Sequence, residues 1–321
     1  MTRMSQLIII GGPTASGKTR LAIEVARHYN TVILNADSRQ FYQEMRIGNA
    51  RPTPDELAAA PHYFIADRSV TQPLTAGTYA TEALALLEKL FQQHRIVVMV
   101  GGSGLYIDAV CRGLDEFPDV SPATKDRVAH LFETEGLVGL QRELDLVDPV
   151  YGQEVDRQNP RRLVRALEVS WSSGKAYSSF RQGGEQRPFT SHYFQPKLNP
   201  GGGNSGLDLK VARPIKKQQR MAPTPARTWL YDRINRRVDM MLEAGLVQEA
   251  KDLYPFRDLP SLNTVGYQEF WPYFAGESSL ERVVELIKRN SRRYAKRQLT
   301  WFGREGKYVE VESVKEVVKK L

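Results

Sequence analysis

One cysteine, Cys111, stands in 321 residues, so neither an intrachain disulfide nor a cysteine zinc cluster can form. That usage fits a reducing, cytoplasmic compartment. Long apolar runs are missing as well. The longest near the N-terminus, residues 7–10, is too short for the core of a signal peptide and far too short to span a bilayer, so no membrane role is expected. There is no internal repeat. The composition is not that of a disordered chain either, because 41% apolar residues and four Trp suffice for a packed core. Charge is lopsided: a net +8 favours an anionic partner, either nucleic acid or a phosphorylated metabolite, while saying nothing about fold. The length exceeds one average domain and suggests a core plus a second lobe.

Residues 7–10 form an apolar run without alternation, the pattern of a strand buried on both faces of a parallel sheet. A glycine loop follows, then a helix from about Lys18 with Leu21, Ala22, Val25 and Ala26 on one face. A second strand over 31–35 ends at Ala36-Asp37-Ser38. A helical pattern over 78–93 leads into a third strand, 96–100, and a second glycine loop, Gly101-Gly102-Ser103-Gly104. This order predicts an α/β fold, a parallel-sheet core with helices on both faces and right-handed crossovers.

The pattern changes near Gly113. Ser121-Pro122, Asp148-Pro149 and Asn159-Pro160 each pair a capping side chain with a proline suited to a first helical turn. No β-run interrupts them up to Lys175. The expected organisation is therefore a core of residues 1–112 and 185–321, with an all-helical insertion domain at 113–184. Residues 190–226 hold Gly201-Gly202-Gly203, several prolines and the basic Lys216, Lys217 and Arg220, and are expected to be irregular or disordered. Helices resume near Thr228. The last long one, 280–302, sets Leu280, Val283, Val284, Ile287 and Tyr294 on one face and Lys288, Arg289, Arg292, Arg293, Lys296 and Arg297 on the other.

Gly12-Pro13-Thr14-Ala15-Ser16-Gly17-Lys18-Thr19 meets the phosphate-loop pattern at every fixed position, between a predicted strand and a predicted helix. Backbone amides and the helix N-terminus would cradle phosphate oxygens, Lys18 would neutralise the terminal phosphate, and Thr19 would coordinate Mg²⁺. The pattern does not say which polyphosphate. Asp37 should lie at the carboxyl edge of the sheet. It suits water-mediated Mg²⁺ binding or hydroxyl orientation, proton removal from an acceptor, or capping of its own turn. The third strand ends without an acidic residue, which counts against a motor-type ATPase. Arg161, Arg162 and Arg165 open a helix and suit either phosphate contacts or a solvated face; Arg227, Arg233 and Arg237 punctuate the helix around Leu230. The basic face of the last helix, followed by Trp301 and Phe302, offers charge beside stacking surfaces, or a solvated helix with core aromatics.

Six segments in order, Gly-Pro-Thr-Ala-Ser-Gly-Lys-Thr (12–19), Asn-Ala-Asp-Ser-Arg-Gln (35–40), Gly-Gly-Ser-Gly-Leu-Tyr (101–106), Arg-Ala-Leu-Glu (165–168), Thr-Val-Gly-Tyr (264–267) and Lys-Arg-Gln-Leu-Thr-Trp (296–301), resemble the bacterial tRNA dimethylallyltransferases. The likeness runs from Leu7 to about Phe302. It implies a phosphate loop that holds dimethylallyl diphosphate rather than ATP, with Mg²⁺ as cofactor. It also implies a helical lobe gripping a tRNA anticodon stem-loop, and prenyl transfer to N6 of the adenosine 3′-adjacent to the anticodon; separately, a monomer is expected. On that likeness Asp37 is the general base, Lys18 and Thr19 bind diphosphate and Mg²⁺, and Arg165 and Arg227 hold diphosphate. Asp37, Ser38, Arg39, Gln40, Ser103, Arg161, Arg162, Thr264, Gly266, Tyr267, Gln268, Lys296, Arg297, Gln298 and Trp301 fall in tRNA-contacting segments.

Three features depart from the family pattern. Ser103 stands where Thr is usual and keeps the hydroxyl. No Cys/His zinc finger of the eukaryotic kind is present. The family's short core strand is not recognisable between Phe189 and Arg227. Two other functions use parts of the same residues. A P-loop small-molecule or nucleoside kinase accounts for 12–19 and Asp37 but leaves the basic helix without a role. A non-catalytic RNA-binding protein leaves Asp37 without one.

Overall fold

The computed structural model describes residues 4–181, 187–198 and 225–321. They divide into two units, one of Met1–Cys111 with Arg187–Leu321 and one of Arg112–Gln186. The first is built on one parallel sheet of β1 (Ser5–Gly11), β2 (Ile33–Asn35), β3 (His62–Tyr63), β4 (Ile96–Gly101), β5 (Phe189–Pro196) and β6 (Val309–Val311), in the order β3-β2-β4-β1-β5-β6. Helices α1 (Lys18–His28), α2 (Pro54–Ala59), α3 (Ala76–Leu90) and α4 (Gly104–Arg112) lie between its strands. The second unit carries α5 (Pro122–Val147), α6 (Pro149–Glu154) and α7 (Pro160–Ser173). The first unit then resumes with β5, α8 (Pro225–Glu243), α9 (Leu246–Leu253), α10 (Trp271–Phe274), α11 (Leu280–Phe302) and α12 (Val314–Lys319).

Alternation along β1 explains its unbroken apolar sequence. Leu7 and Ile9 enter one core with Val97, Met99, Tyr79, Leu87 and Ile107. Ile8 and Ile10 enter the opposite core with Val98, Val100, Leu21, Val25 and Val317. Both faces are covered, so polar alternation would bury unpaired groups. β4 and β5 flank β1 on its two sides, and the chain leaves β1 for β2, beyond β4, before it returns to β5. This divergence opens a crevice at the carboxyl ends of β1 and β4, the place where open α/β sheets bind ligands.

The expectation that residues 190–226 are irregular fails at both described ends. Residues 190–196 belong to β5, paired in parallel with β1, Ile8 opposite His192 and Ile10 opposite Phe194. Its sequence, Phe-Thr-Ser-His-Tyr-Phe-Gln-Pro, hides a strand because polar residues interleave with Phe189 and Tyr193 on one face and Phe194 on the other. Non-local pairing to β1, not local apolarity, fixes it. Residues 225–226 already belong to α8. The expectation for residues 199–224 lies outside the described residues.

In the second unit, Ser121 caps α5 by accepting from the Thr124 amide at 3.2 Å, and Asp148 caps α6 by accepting from Tyr151 at 3.0 Å. Asp148 is 1% exposed and also accepts from the Ser178 amide and hydroxyl, tying α6 to the turn after α7. Asn159 precedes Pro160 at the start of α7, but its side chain makes no cap bond. Gly136, at φ +61°, breaks α5 into two helical stretches. Val128, Leu140, Leu144, Leu163 and Leu167 form the core of this unit.

Candidate active site

The turn between β1 and α1 is shaped by backbone that few side chains tolerate. Gly12 (φ +147°), Ala15 (φ +63°) and Gly17 (φ +91°) all take positive φ. Gly17 is the N-cap residue of α1 and no side chain caps that terminus, so the positive end of the helix opens on the crevice. The Ser16 hydroxyl is buried with no partner among the described residues. A buried orphan donor beside an uncapped helix end suits a bound anion. Lys18 points back over the same turn, Nζ 3.5 Å from the Pro13 carbonyl. Burial lowers its pKa to about 8; Asp37 pushes the other way, and Arg237 adds to the lowering.

Asp37 follows β2 by two residues. The Asn35 side chain fixes its backbone: Nδ2 donates to Phe64 O at 2.9 Å, and Oδ1 accepts from the Asp37 amide at 3.3 Å. One Asp37 carboxylate oxygen accepts from the Arg39 amide at 3.2 Å, so this residue does cap its own turn. Lys18, Thr19, Asn35, Asp37, Gln40 and His62 line one cleft with Gly101. His62, which no sequence pattern marks, lies with Nδ1 2.7 Å from Ala60 O and has a buried Nε2 with no partner among the described residues; burial lowers its pKa.

Long-range contacts hold both glycine turns. From α8, Arg237 donates to the Thr14 hydroxyl at 3.1 Å and Arg233 to the Ala15 carbonyl at 3.0 Å, with Arg233 also over the Trp229 ring. Ala15 packs with Leu230, Ile234 and Ala295. From α11, the Gln298 carboxamide accepts from the Thr14 amide at 2.9 Å and donates to the Gly102 carbonyl at 2.9 Å. A Cβ on Gly104 would sit 2.1 Å from the Trp301 indole nitrogen, so glycine is required for α11 to lie where it does. The sequence placed Arg233 and Arg237 on a helix but gave no sign that they turn toward residues 14–15.

Other candidates serve as braces. Ser103 accepts from the Ser38 amide at 3.0 Å and donates to the Ser38 hydroxyl at 3.1 Å, joining the turn after β4 to that after β2. Arg39 donates to Ser261 O at 2.7 Å, and Gln40 donates to Ala50 O at 3.0 Å. Tyr267 is fully buried and donates to Glu249 at 2.7 Å. Glu249 also accepts from the amides of Arg46, Ile47 and Gly48, a nest that sequence reasoning missed because an isolated Glu on a helix reads as solvated. Gly266 donates to Glu269, and the flanking Thr264 and Gln268 are half-buried. Gln298 (4% exposed) and Tyr267 have no surface to offer RNA, so the contact role expected for them from resemblance does not fit their placement. Lys296 and Arg297 are exposed on α11, Arg297 over the Tyr294 ring. Arg227 lies in the first turn of α8. Arg161, Arg162 and Arg165 are exposed on α7 in the second unit, where Arg165 pairs with Glu168 at 3.8 Å and covers Phe117.

A parallel α/β sheet with a glycine turn, a half-buried lysine and a carboxylate in one crevice is an arrangement suited to ligands that carry phosphate. Comparison with known proteins narrows the class. Residues 40–305 match the IPP transferase family, and the chain belongs to that family. It is 44% identical over 300 residues to tRNA dimethylallyltransferase 1 of Bacteroides fragilis, covering 93% of this chain and 91% of that one. The tRNA dimethylallyltransferase of Flavobacterium johnsoniae is 42% identical over 307 residues, 94% and 91% of the two chains. The solved tRNA isopentenylpyrophosphate transferase of Bacillus halodurans superposes with a TM-score of 0.66 at 29% identity, over 99% of this chain and 94% of that one. The corresponding Staphylococcus epidermidis structure gives 0.63 at 28%, over 99% and 98%.

Proposed function

We propose that this protein transfers the dimethylallyl group of dimethylallyl diphosphate to the N6 amine of the tRNA adenosine 3′-adjacent to the anticodon. One observation carries the reading: in a chain of the IPP transferase family, Lys18 and Asp37 line the same cleft at the carboxyl edge of the sheet. The glycine turn of residues 12–19 acts as a P-loop for the diphosphate, through amides, the Ser16 hydroxyl and Lys18. An allylic carbon tolerates positive charge, so stabilising the departing diphosphate lowers most of the barrier. The adenine amine is a weak nucleophile because its lone pair is delocalised into the ring. Asp37 accepts its proton as the carbon–nitrogen bond forms, and the splayed base of a loop reaches the site more cheaply than a paired one.

Magnesium fits these residues. Thr19 and Asp37 offer hard oxygen donors in the cleft, and no cluster of three His, Cys, Asp or Glu occurs among the described residues. Mg²⁺ is commonly held by one or two such groups plus substrate phosphates. When bound it adds positive charge beside the leaving diphosphate. The exposed basic residues of α11 and α7, Lys296, Arg297, Arg161 and Arg162, are assigned to RNA phosphates, and the helical second unit to the anticodon stem-loop. Among the described residues no helix is long and apolar enough to cross a membrane. The test is incubation with Mg²⁺, labelled dimethylallyl diphosphate and an anticodon stem-loop, beside an ATP control. Label in the RNA is expected; ATP-dependent phosphorylation or RNA retention without transfer overturns the proposal.

A further inference from the structure

Gln298 lies on the buried side of α11, one residue beyond the exposed Lys296-Arg297 pair, yet it is a polar residue with 4% exposure. Its two amide atoms join turns far apart in sequence: Oε1 accepts from Thr14 N and Nε2 donates to Gly102 O, both at 2.9 Å. The fit is tight, because a Cβ on Gly102 would stand 2.3 Å from Nε2. A carboxamide accepts at one end and donates at the other without charge.

We infer that Gln298 is a positioning residue for the diphosphate, acting through the glycine turn, and not an RNA contact. By taking the Thr14 amide it fixes the Pro13–Thr14 peptide, one residue before Ala15, whose positive φ is costly for a side-chain-bearing residue and persists only where neighbours over-determine it. The amides beyond it, toward the start of α1, are thereby turned to the anion. Arg237 on the Thr14 hydroxyl and Arg233 on the Ala15 carbonyl hold neighbouring points of the same turn from α8. The inference rests on the reading of residues 12–19 as the diphosphate site.

Gln298→Met keeps the volume and removes both bonds. Binding of inorganic diphosphate with Mg²⁺, measured by calorimetry, is expected to weaken about tenfold or more, as is the KM for dimethylallyl diphosphate. Affinity for an anticodon stem-loop should stay within about twofold to threefold of wild type. Gly102→Ala, which pushes the same amide away, should give the same split from the other partner. A loss of stem-loop affinity with diphosphate binding unchanged overturns the inference in favour of RNA contact. A fall only in the folded fraction, with KM and diphosphate affinity unmoved in both variants, overturns it in favour of mere packing. If the wild-type chain binds diphosphate but transfers no prenyl group, the proposed function fails while the Gln298 result still stands.

Discussion

Lys18 and Asp37 share one cleft, and the carboxylate only partly offsets the burial that brings the lysine ammonium to about 8. The folded chain without ligand therefore binds fewer protons than the unfolded chain between pH 8 and the ordinary lysine value of 10.5. Stability of the free protein should rise with pH across that window, by roughly 3 kcal/mol at the most. Diphosphate affinity should move the opposite way and fall above about pH 8, as the ammonium is lost. Urea unfolding at pH 7.5 and pH 10, compared with Lys18→Met, measures the first effect. An identical pH response in wild type and variant would remove Lys18 as its source.

Asp37 both caps its turn and faces the cleft, and two substitutions separate these roles. Asp37→Asn keeps an acceptor for the Arg39 amide; Asp37→Ala does not. Both should lower single-turnover transfer by about two to four orders of magnitude while leaving stem-loop affinity largely intact. Only the alanine variant should also lose about 1 kcal/mol of stability. A fast Asp37→Asn enzyme would take the base role away from this carboxylate.

Glu249 is a stability determinant outside the cleft. Its carboxylate collects the amides of Arg46, Ile47 and Gly48 and the Tyr267 hydroxyl. Glu249→Ala strands these donors and should cost about 3 kcal/mol or more in denaturant unfolding, with Glu249→Gln falling between. Gly48→Ala tests the same corner, because a Cβ there would lie 2.6 Å from the Tyr267 ring. Wild-type stability in both alanine variants would refute the assignment.

What the chain discloses locally was readable. Apolar continuity marked β1 and β4, and the glycine turn pointed to the crevice. The amphipathic pattern of residues 280–302 coincides with α11, whose start is capped by Ser279 accepting from Arg282. What depends on distant partners was not. β5 is held by β1 rather than by its own composition, and β3 and β6, at two and three residues, carry too few side chains for any period to show. Gln298 is buried and Glu249 and His62 are half-buried, each through tertiary packing, so their type was legible and their surroundings were not. Arg233 and Arg237 sat on the right helix, but only the packing of α8 against Ala15 turns them toward the site.

Exposed arginines and lysines of α7 and α11 are the last point open to a simple measurement. Arg161, Arg162, Lys296 and Arg297 are solvent-exposed, so any phosphate they meet must first shed condensed counterions. Stem-loop affinity should fall linearly in log–log form with salt, and each alanine substitution that removes a phosphate contact should lower the slope by somewhat less than one unit. Diphosphate binding depends instead on the half-buried Lys18 and on backbone amides, which salt screens less. The same titration run on both ligands thus separates surface recognition from the crevice. A stem-loop slope unchanged by all four substitutions would place RNA recognition elsewhere on the protein.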